Sequence, residues 1–482
     1  MDNAISVKSI RLAKNKHQGS ILIFEVVAIF ITSLVLLSLL GYASQQLRLV
    51  RSSANKELAF HIAEAGANYY EWHLAHFASD YANGTGQTGC NPCGPYVTDF
   101  RDTDVNTILG QYSLLITPPP VGSTVVTIQS TGWTTQEPKI KRTVTVRYGV
   151  PSLAKYSLLT NTDIWVGNTE TVSGEMHANG GIRFDGTGNA PISSAKSNYP
   201  PPPASNTGYL CQWYHGCGPT QKPGIWGAAP ASTQAFWQIG VPTIDFSSMT
   251  SDLATMKTDA QASGIYLPPS SAQGYSLVFN ANATVSVYKV TSLLAHPSGQ
   301  DVNGASHSED LDYNARALQF NQALPTNGII YVEDRTWVEG TVAGRVMVAA
   351  AKLPYNAATA PSILIPNNIL YTAKDGSASL GLLAQQDVLI TYSSPNDLEI
   401  DAAMVAQNGS TERYYFPGNI KNTITIYGAV ASFGVWTWNW NSPVNSGYVN
   451  TVTVYDGNLL YAPPPKFPLS SAGYQQISWD SN

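Results

Sequence analysis

From Ser20 to Leu40 the chain carries one formal charge, Glu25, in twenty-one residues. A helix of that length rises about 31 Å, enough to cross the hydrocarbon core of a bilayer. Lys8, Arg11, Lys14 and Lys16 stand just before it, with only Asp2 opposing them. Basic flanks stay on the cytoplasmic side, so everything after the span is expected outside. A secretory signal would have an apolar core of about 7–15 residues and then a small-x-small cleavage site. This run is longer, and Ser38-Leu39-Leu40-Gly41-Tyr42-Ala43 is a poor cleavage site. An ordinary single-pass anchor is the plainest alternative.

The helix is expected to continue past the membrane. No proline occurs before Pro92, and no glycine falls between Gly41 and Gly66. Leu47, Val50, Ala54, Leu58, Ile62, Ala65, Tyr69 and Trp72 recur at steps of three and four, which predicts one packed stripe. A helix from Ser20 to about Phe77 would be roughly 87 Å long.

Beyond it the composition changes the expected class. At 482 residues there is room for two or three domains. The first nineteen residues have four basic side chains against one acidic, leaving a body of net charge −9 from a total of −6. An acidic body has no basic surface to neutralise phosphates, which argues against a nucleic-acid partner. Charged residues make up only 12 % of the chain, while Gly (39), Pro (30) and Tyr (26) are abundant, the balance of an extracytoplasmic β-rich body. Cys90 lies near Cys93 and Cys211 near Cys217, and an even count beyond a membrane segment reads as disulfides. Three connectivities remain open.

Residues 84–89 spell G-x-G-x-x-G, but a helix precedes them and a Cys/Pro loop follows, so the strand–turn–helix setting of a dinucleotide site is missing. Cys90-x-x-Cys93 has no βαβ surroundings for a redox centre and no second pair at zinc spacing; a loop-closing disulfide fits better. Asp102-x-Asp104-x-Asn106 begins like a calcium loop, yet Thr107 and Ser113 replace the required glycine and glutamate. No cofactor or metal is therefore expected.

Gln111–Thr117, Thr124–Ser130 and Lys139–Tyr148 read as three strands of a small antiparallel meander able to cover the helix stripe. Ser247 to about Ala262 reads as one further helix, after a Pro/Cys-rich insert at 196–230. Val346–Val348, Ile363–Ile365, Leu380–Leu382 and Leu398–Ile400 start 17, 17 and 18 residues apart, with Ile369–Tyr371, Val388–Ile390 and Ala403–Val405 as a second track. Short apolar strands at a fixed period suggest a β-solenoid, with the run at 163–184 supplying earlier rungs; a sandwich is the competing fold.

The N-terminus resembles that of type IV pilins and pseudopilins, particularly large minor-pilin-like proteins. A short basic leader ends in Gly19-Ser20, and Leu58-Ala59-Phe60-His61-Ile62-Ala63-Glu64-Ala65-Gly66-Ala67 is similar to the family's AF-x-x-AEAG stretch. Shorter pieces of the body, including Val338–Arg345, Leu380–Ala384, Tyr427–Val430 and Pro463–Pro468, also resemble the C-terminal regions of such proteins. The resemblance implies a mainly β chain with a long N-terminal helix: a pilin-like helix and meander, then a right-handed β-solenoid-like body. The segments are then a leader (1–19), the helix (20–78), a Cys loop and small sheet (79–150), the body (151–470) and a tail (471–482).

It also implies cleavage by a prepilin peptidase, insertion in the inner membrane with the body outside, and assembly with other pilins into a filament at the cell surface. A family glutamate at mature position five is thought to meet a neighbour's new amine. Cleavage after Gly19 puts Glu25 sixth; cleavage after Ser20 puts it fifth. A carboxylate at that depth costs about 2.5–3.5 kcal/mol and calls for a partner, unless it sits hydrated near the interface.

The rival reading is a membrane-anchored solenoid that cleaves or binds polysaccharide. Cleavage needs two carboxylates at fixed separation; Glu333, Asp334 and Glu339, or Asp397, Glu399 and Asp401, are the candidates, the latter three alternating on one strand face. His177 and His307 are isolated from any nucleophile. An enzyme is not the expected class. For binding, Trp436, Trp438 and Trp440 alternate; exposed they would form a sugar platform, buried they would cap the end of the stack.

Overall fold

The computed structural model describes residues 18–120, 122–200, 221–246, 252–440, 444–470 and 473–481. The chain is mainly β with one long N-terminal helix, α1, Gln18–His76. Its 59 residues span about 88 Å.

Four strands, β1 (Cys93–Arg101), β2 (Ile108–Thr117), β3 (Val125–Thr134) and β4 (Lys141–Gly149), follow as an antiparallel sheet. The sheet gains a fifth member at its β4 edge, the C-terminal strand Gln475–Ser481. The meander is therefore larger than the three strands expected, because a segment some 330 positions away in sequence returns to close its edge. Alternation does the rest: Tyr112, Leu114 and Ile116, Val126 and Ile128, and Val144, Val146 and Tyr148 all point to the side on which α1 lies.

The body is built from parallel ladders. The first joins Ile265–Leu267, Ile329–Val332, Arg345–Ala350, Ser379–Ala384 and the second half of Asp397–Ala406. It continues through the end of Ile420–Ser432 to Tyr156–Thr160, Glu175–Ala178, Ile192–Ser194 and Trp237–Ile239. A second ladder runs through Ile369–Tyr371, the first halves of Asp397–Ala406 and Ile420–Ser432, Ser446–Tyr455 and Glu170–Val172. A third contains Ile363–Ile365, Val388–Ile390, Thr411–Arg413 and Trp436–Thr437.

The 17-residue beat is real but marks faces rather than turns. Val346 pairs with Leu380 in the first ladder, whereas Ile363 belongs to the third and Leu398 to the second. Glycine makes the corners. At Gly340 and Gly428 the chain passes between ladders with φ of +107° and +146°, and a Cβ there would come within 2.2 Å of Phe279 O and 2.1 Å of Ala402 O.

The threading is not in chain order. Strand Tyr156–Thr160, the first after the small sheet, docks on Ile420–Ser432 in the middle of the stack. Both chain segments at this point return to the small sheet, and Ser152 Oγ donates to Leu459 O at 2.7 Å to hold them together.

The stack's interior is apolar, with Val346, Val348, Leu380, Leu382, Ile400 and Ile426 among its side chains. The outer side of the first ladder is buried as well. Helix α2, Asp252–Ser263, lays Leu253, Met256 and Ala260 over Ile329, Tyr331, Met347 and Ala349. This is the expected second helix; residues 247–251 at its expected start lie outside the described residues.

Candidate functional site

α1 divides into two parts. Residues 21–50 are exposed on every side, including Leu22, Phe24, Phe30 and Leu40, and this part is long and apolar enough to cross a membrane. The second part rests on the small sheet. Its buried residues are Asn55, Ala59, Ile62, Ala63, Ala67, Tyr70, His73 and Leu74.

That stripe differs from the expected one. Leu47, Val50, Tyr69 and Trp72 are exposed, and of the eight residues expected to pack only Ile62 is fully buried. Close approach chose the face instead of side-chain size. A Cβ on Gly132 of β3 would lie 2.4 Å from Ala59 O and 2.5 Å from Ala63 N. A Cβ on Gly66 would lie 2.4 Å from Ser130 Oγ and 2.7 Å from the Tyr112 ring. The small residues of Ala59-x-x-x-Ala63-x-x-Gly66-Ala67 thus let helix backbone meet sheet backbone, a physical reason for the motif noted in the sequence. Gly132 and Gly110 complete this contact and were passed over in the sequence; a glycine within an alternating strand was their signal.

The end of α1 is clamped. Asp80 accepts from the Ala82 and Gly84 N–H groups at 2.9 and 2.7 Å and faces His73 Nε2 at 3.0 Å. Burial opposes its ionisation, but these donors together hold the carboxyl below its ordinary range. Tyr474 donates to Ala78 O at 2.9 Å, tying the C-terminal strand to the same corner. Cys90 and Cys93 are joined as a disulfide, with Cα atoms 4.9 Å apart. Cys211 and Cys217 lie outside the described residues.

Gly19 and Ser20 fall in the first turn of α1, and residues 1–17 lie outside the described residues. Glu25 sits among exposed apolar residues of the span. Asp102 Oδ1 accepts from the Asp104 and Val105 N–H groups, forming a turn between β1 and β2.

The candidate acids are engaged in the fold. Glu333 contacts Lys257 and accepts from Tyr266 OH at 2.9 Å. Asp334 accepts from Ser270 N and Oγ, and Glu339 from Tyr313 OH and Arg316. Asp397, Glu399 and Asp401 do share a strand face, but Lys374 bridges Glu399 and Asp401 at 2.8 Å each. Burial keeps the Asp401 carboxyl above its ordinary range despite that lysine. His177 is buried between Ser193 Oγ and Asn179 Oδ1, and His307 faces Asp301.

The three tryptophans are not a surface platform. Trp436, Trp438 and Trp440 are 4 %, 0 % and 1 % exposed. Nor do they cap an end: the ladders continue past them to Tyr156–Thr160, Glu175–Ala178 and beyond. Trp436 and Trp438 meet edge to face in the stack's core, and Trp440 Nε1 donates to Arg413 O at 2.7 Å. Alternation predicted a shared face; the wide interior at this level of the stack took the rings inward.

No family model and no curated protein matches the chain. Among solved structures, the competence-associated pilin ComZ from Thermus thermophilus is similar at 11 % identity and a TM-score of 0.30, over 89 % of this chain and 98 % of that one.

Proposed function

We propose that this chain is a pilin-like filament subunit, held in the inner membrane by α1 before assembly and carrying a large outward β body of solenoid type. The observation that supports it most is the construction of α1. One unbroken helix has a first part with apolar side chains exposed all round and a second part seated on a small antiparallel sheet. Apolar surface of that extent needs cover, from lipid before assembly and from neighbouring helices afterwards. In this reading a prepilin peptidase removes the leader after Gly19 or Ser20, and Glu25 receives a neighbour's new N-terminus. The parallel ladders, with interiors of Val, Ile and Leu turned by glycine corners, support the solenoid description.

N-terminal sequencing of the mature protein tests this directly. A start at Ser20 or Ile21 is expected, and an intact Met1 would overturn processing. Glu25→Ala should lower incorporation into filaments with the body still folded; unchanged incorporation would remove the role given to Glu25.

A further inference from the structure

One cavity stands apart from everything described above. Its volume is about 630 Å³, within the range of ligand pockets and too large for a bare ion to fill. Its floor is the same corner of the stack repeated in neighbouring turns: Gln386 and Asp387, then Asn408 to Ser410, then Phe433 to Val435, then Thr162 and Asp163. The turn of the hairpin Gly299–Gln300/Ser306–His307 overhangs it, anchored by paired backbone bonds between Gln300 and Tyr415.

Glu412 points to a ligand here. In the third ladder Leu364, Leu389 and Glu412 are register partners, and both leucines are packed in an apolar cluster. A carboxyl thus replaces the leucine its column would carry. It is 3 % exposed, lines the cavity, and its Oε2 has no hydrogen-bond partner. An unpaired polar group at that depth costs about 1–3 kcal/mol. Gln386 Oε1, in the same lining, is likewise buried without a partner. The other acids are partly satisfied: Asp387 accepts from Ser410 N, Asp163 from Gly181 N, and Asp301 from Asn303 N, Ala305 N and the His307 ring.

We propose that this cavity is a binding site for an uncharged glycan segment. The lining mixes carboxyl, amide and hydroxyl groups, which offer sugar hydroxyls both donors and acceptors. Phe433, 40 % exposed, supplies an aromatic surface at the rim. The lining contains no Lys or Arg among the described residues, and four carboxyl side chains repel a phosphate or uronate. Burial and the nearby Asp387 and Asp301 carboxyls push Glu412 well above the ordinary carboxylate range, so at neutral pH it can donate as well as accept. A second groove shares Thr162, Asp163 and Phe433 and continues along the same corner. The site belongs to the body and stands whether or not α1 enters a filament.

The test is calorimetric titration of the detergent-solubilised full chain with uncharged oligosaccharides of three to five units (cello-, manno- and N-acetylchito-series), with oligogalacturonate, spermidine and calcium chloride alongside. At least one uncharged series should bind. Glu412→Leu, which restores the leucine column, should abolish binding without lowering the melting temperature, and Phe433→Ala should weaken it several-fold. Absence of binding across the uncharged series overturns the proposal. So does binding unaffected by Glu412→Leu and Phe433→Ala, or a response to spermidine or calcium in place of sugar.

Discussion

Arg345 gathers three parts of the chain at one guanidinium, and replacing it with methionine should loosen all three. Nη1 donates to Gly376 O at 3.0 Å, and Nη2 faces the carbonyls of Gly122, Ala462 and Pro463. Gly122 lies in the β2–β3 connection of the small sheet, and 462–463 belong to the segment that returns to it. Two protons on Nη2 are shared among three acceptors, so about three charge-assisted bonds are in use, worth roughly 1.5–3 kcal/mol each. Against this stands the desolvation of the guanidinium, several kcal/mol in a buried setting, which also lowers the Arg345 pKa. Methionine keeps the stem's packing, removes the desolvation cost and strands up to four carbonyls. The net loss should be about 2–4 kcal/mol. Denaturant unfolding of the solubilised chain measures it, and limited proteolysis locates it, with new cuts expected in 117–125 and 456–470. Arg345→Lys should fall between, since an ammonium lacks the planar fork. A loss under about 0.5 kcal/mol for Arg345→Met, with an unchanged digestion pattern, would refute the idea that this contact fastens the small sheet to the body.

Other consequences are independent of it. Gly66→Val should cost more than about 2 kcal/mol by forcing α1 off β2 and β3, seen as protease sensitivity of residues 52–76 with membrane insertion intact. Trp438→Ala should destabilise the body by about 3–5 kcal/mol through a core cavity, measured by denaturant midpoint, while leaving any sugar binding at the corner cavity in place. Burial pushes Glu170 and Glu309 up to about 8 from an ordinary value of 4.5. Between those values the folded state holds protons the unfolded chain has released, so stability should fall as pH rises from about 4.5 to 8. Glu170→Gln should flatten part of that slope, and an unchanged profile would count against the buried carboxyl as its source.

Much of α1 was legible before any coordinates. An apolar run with no proline or glycine predicts a long helix because both properties are local, and the observed helix ends one residue from the expected Phe77. Its packed face was not legible. Leu47 and Trp72 look like core in a list of hydropathies, yet Ala59, Ala63 and Gly66 are buried because a sheet backbone approaches them. The strands of the small sheet were visible from alternation, but not Gln475–Ser481, whose place depends on the free edge of β4. In the corner cavity Asp387 and Glu412 were invisible: they stand 25 positions apart, and only ladder register brings them to one wall.

Sequence alone therefore determined the long helix, its small-residue motif, the β character of everything after it, and the recurrence of short apolar strands. Each follows from periods of about 3.6 and 2 among near neighbours. Tertiary structure alone decided which face of α1 is covered, that Trp436, Trp438 and Trp440 are core, and that the chain enters its stack at the middle. The pairing of Val430 with Leu158 shows why. Parallel ladders accept any turn that presents an apolar inner face, so local pattern leaves their order open. The choice falls to the contacts at 150–155 and 456–470, which bring the two ends of the body back to one small sheet.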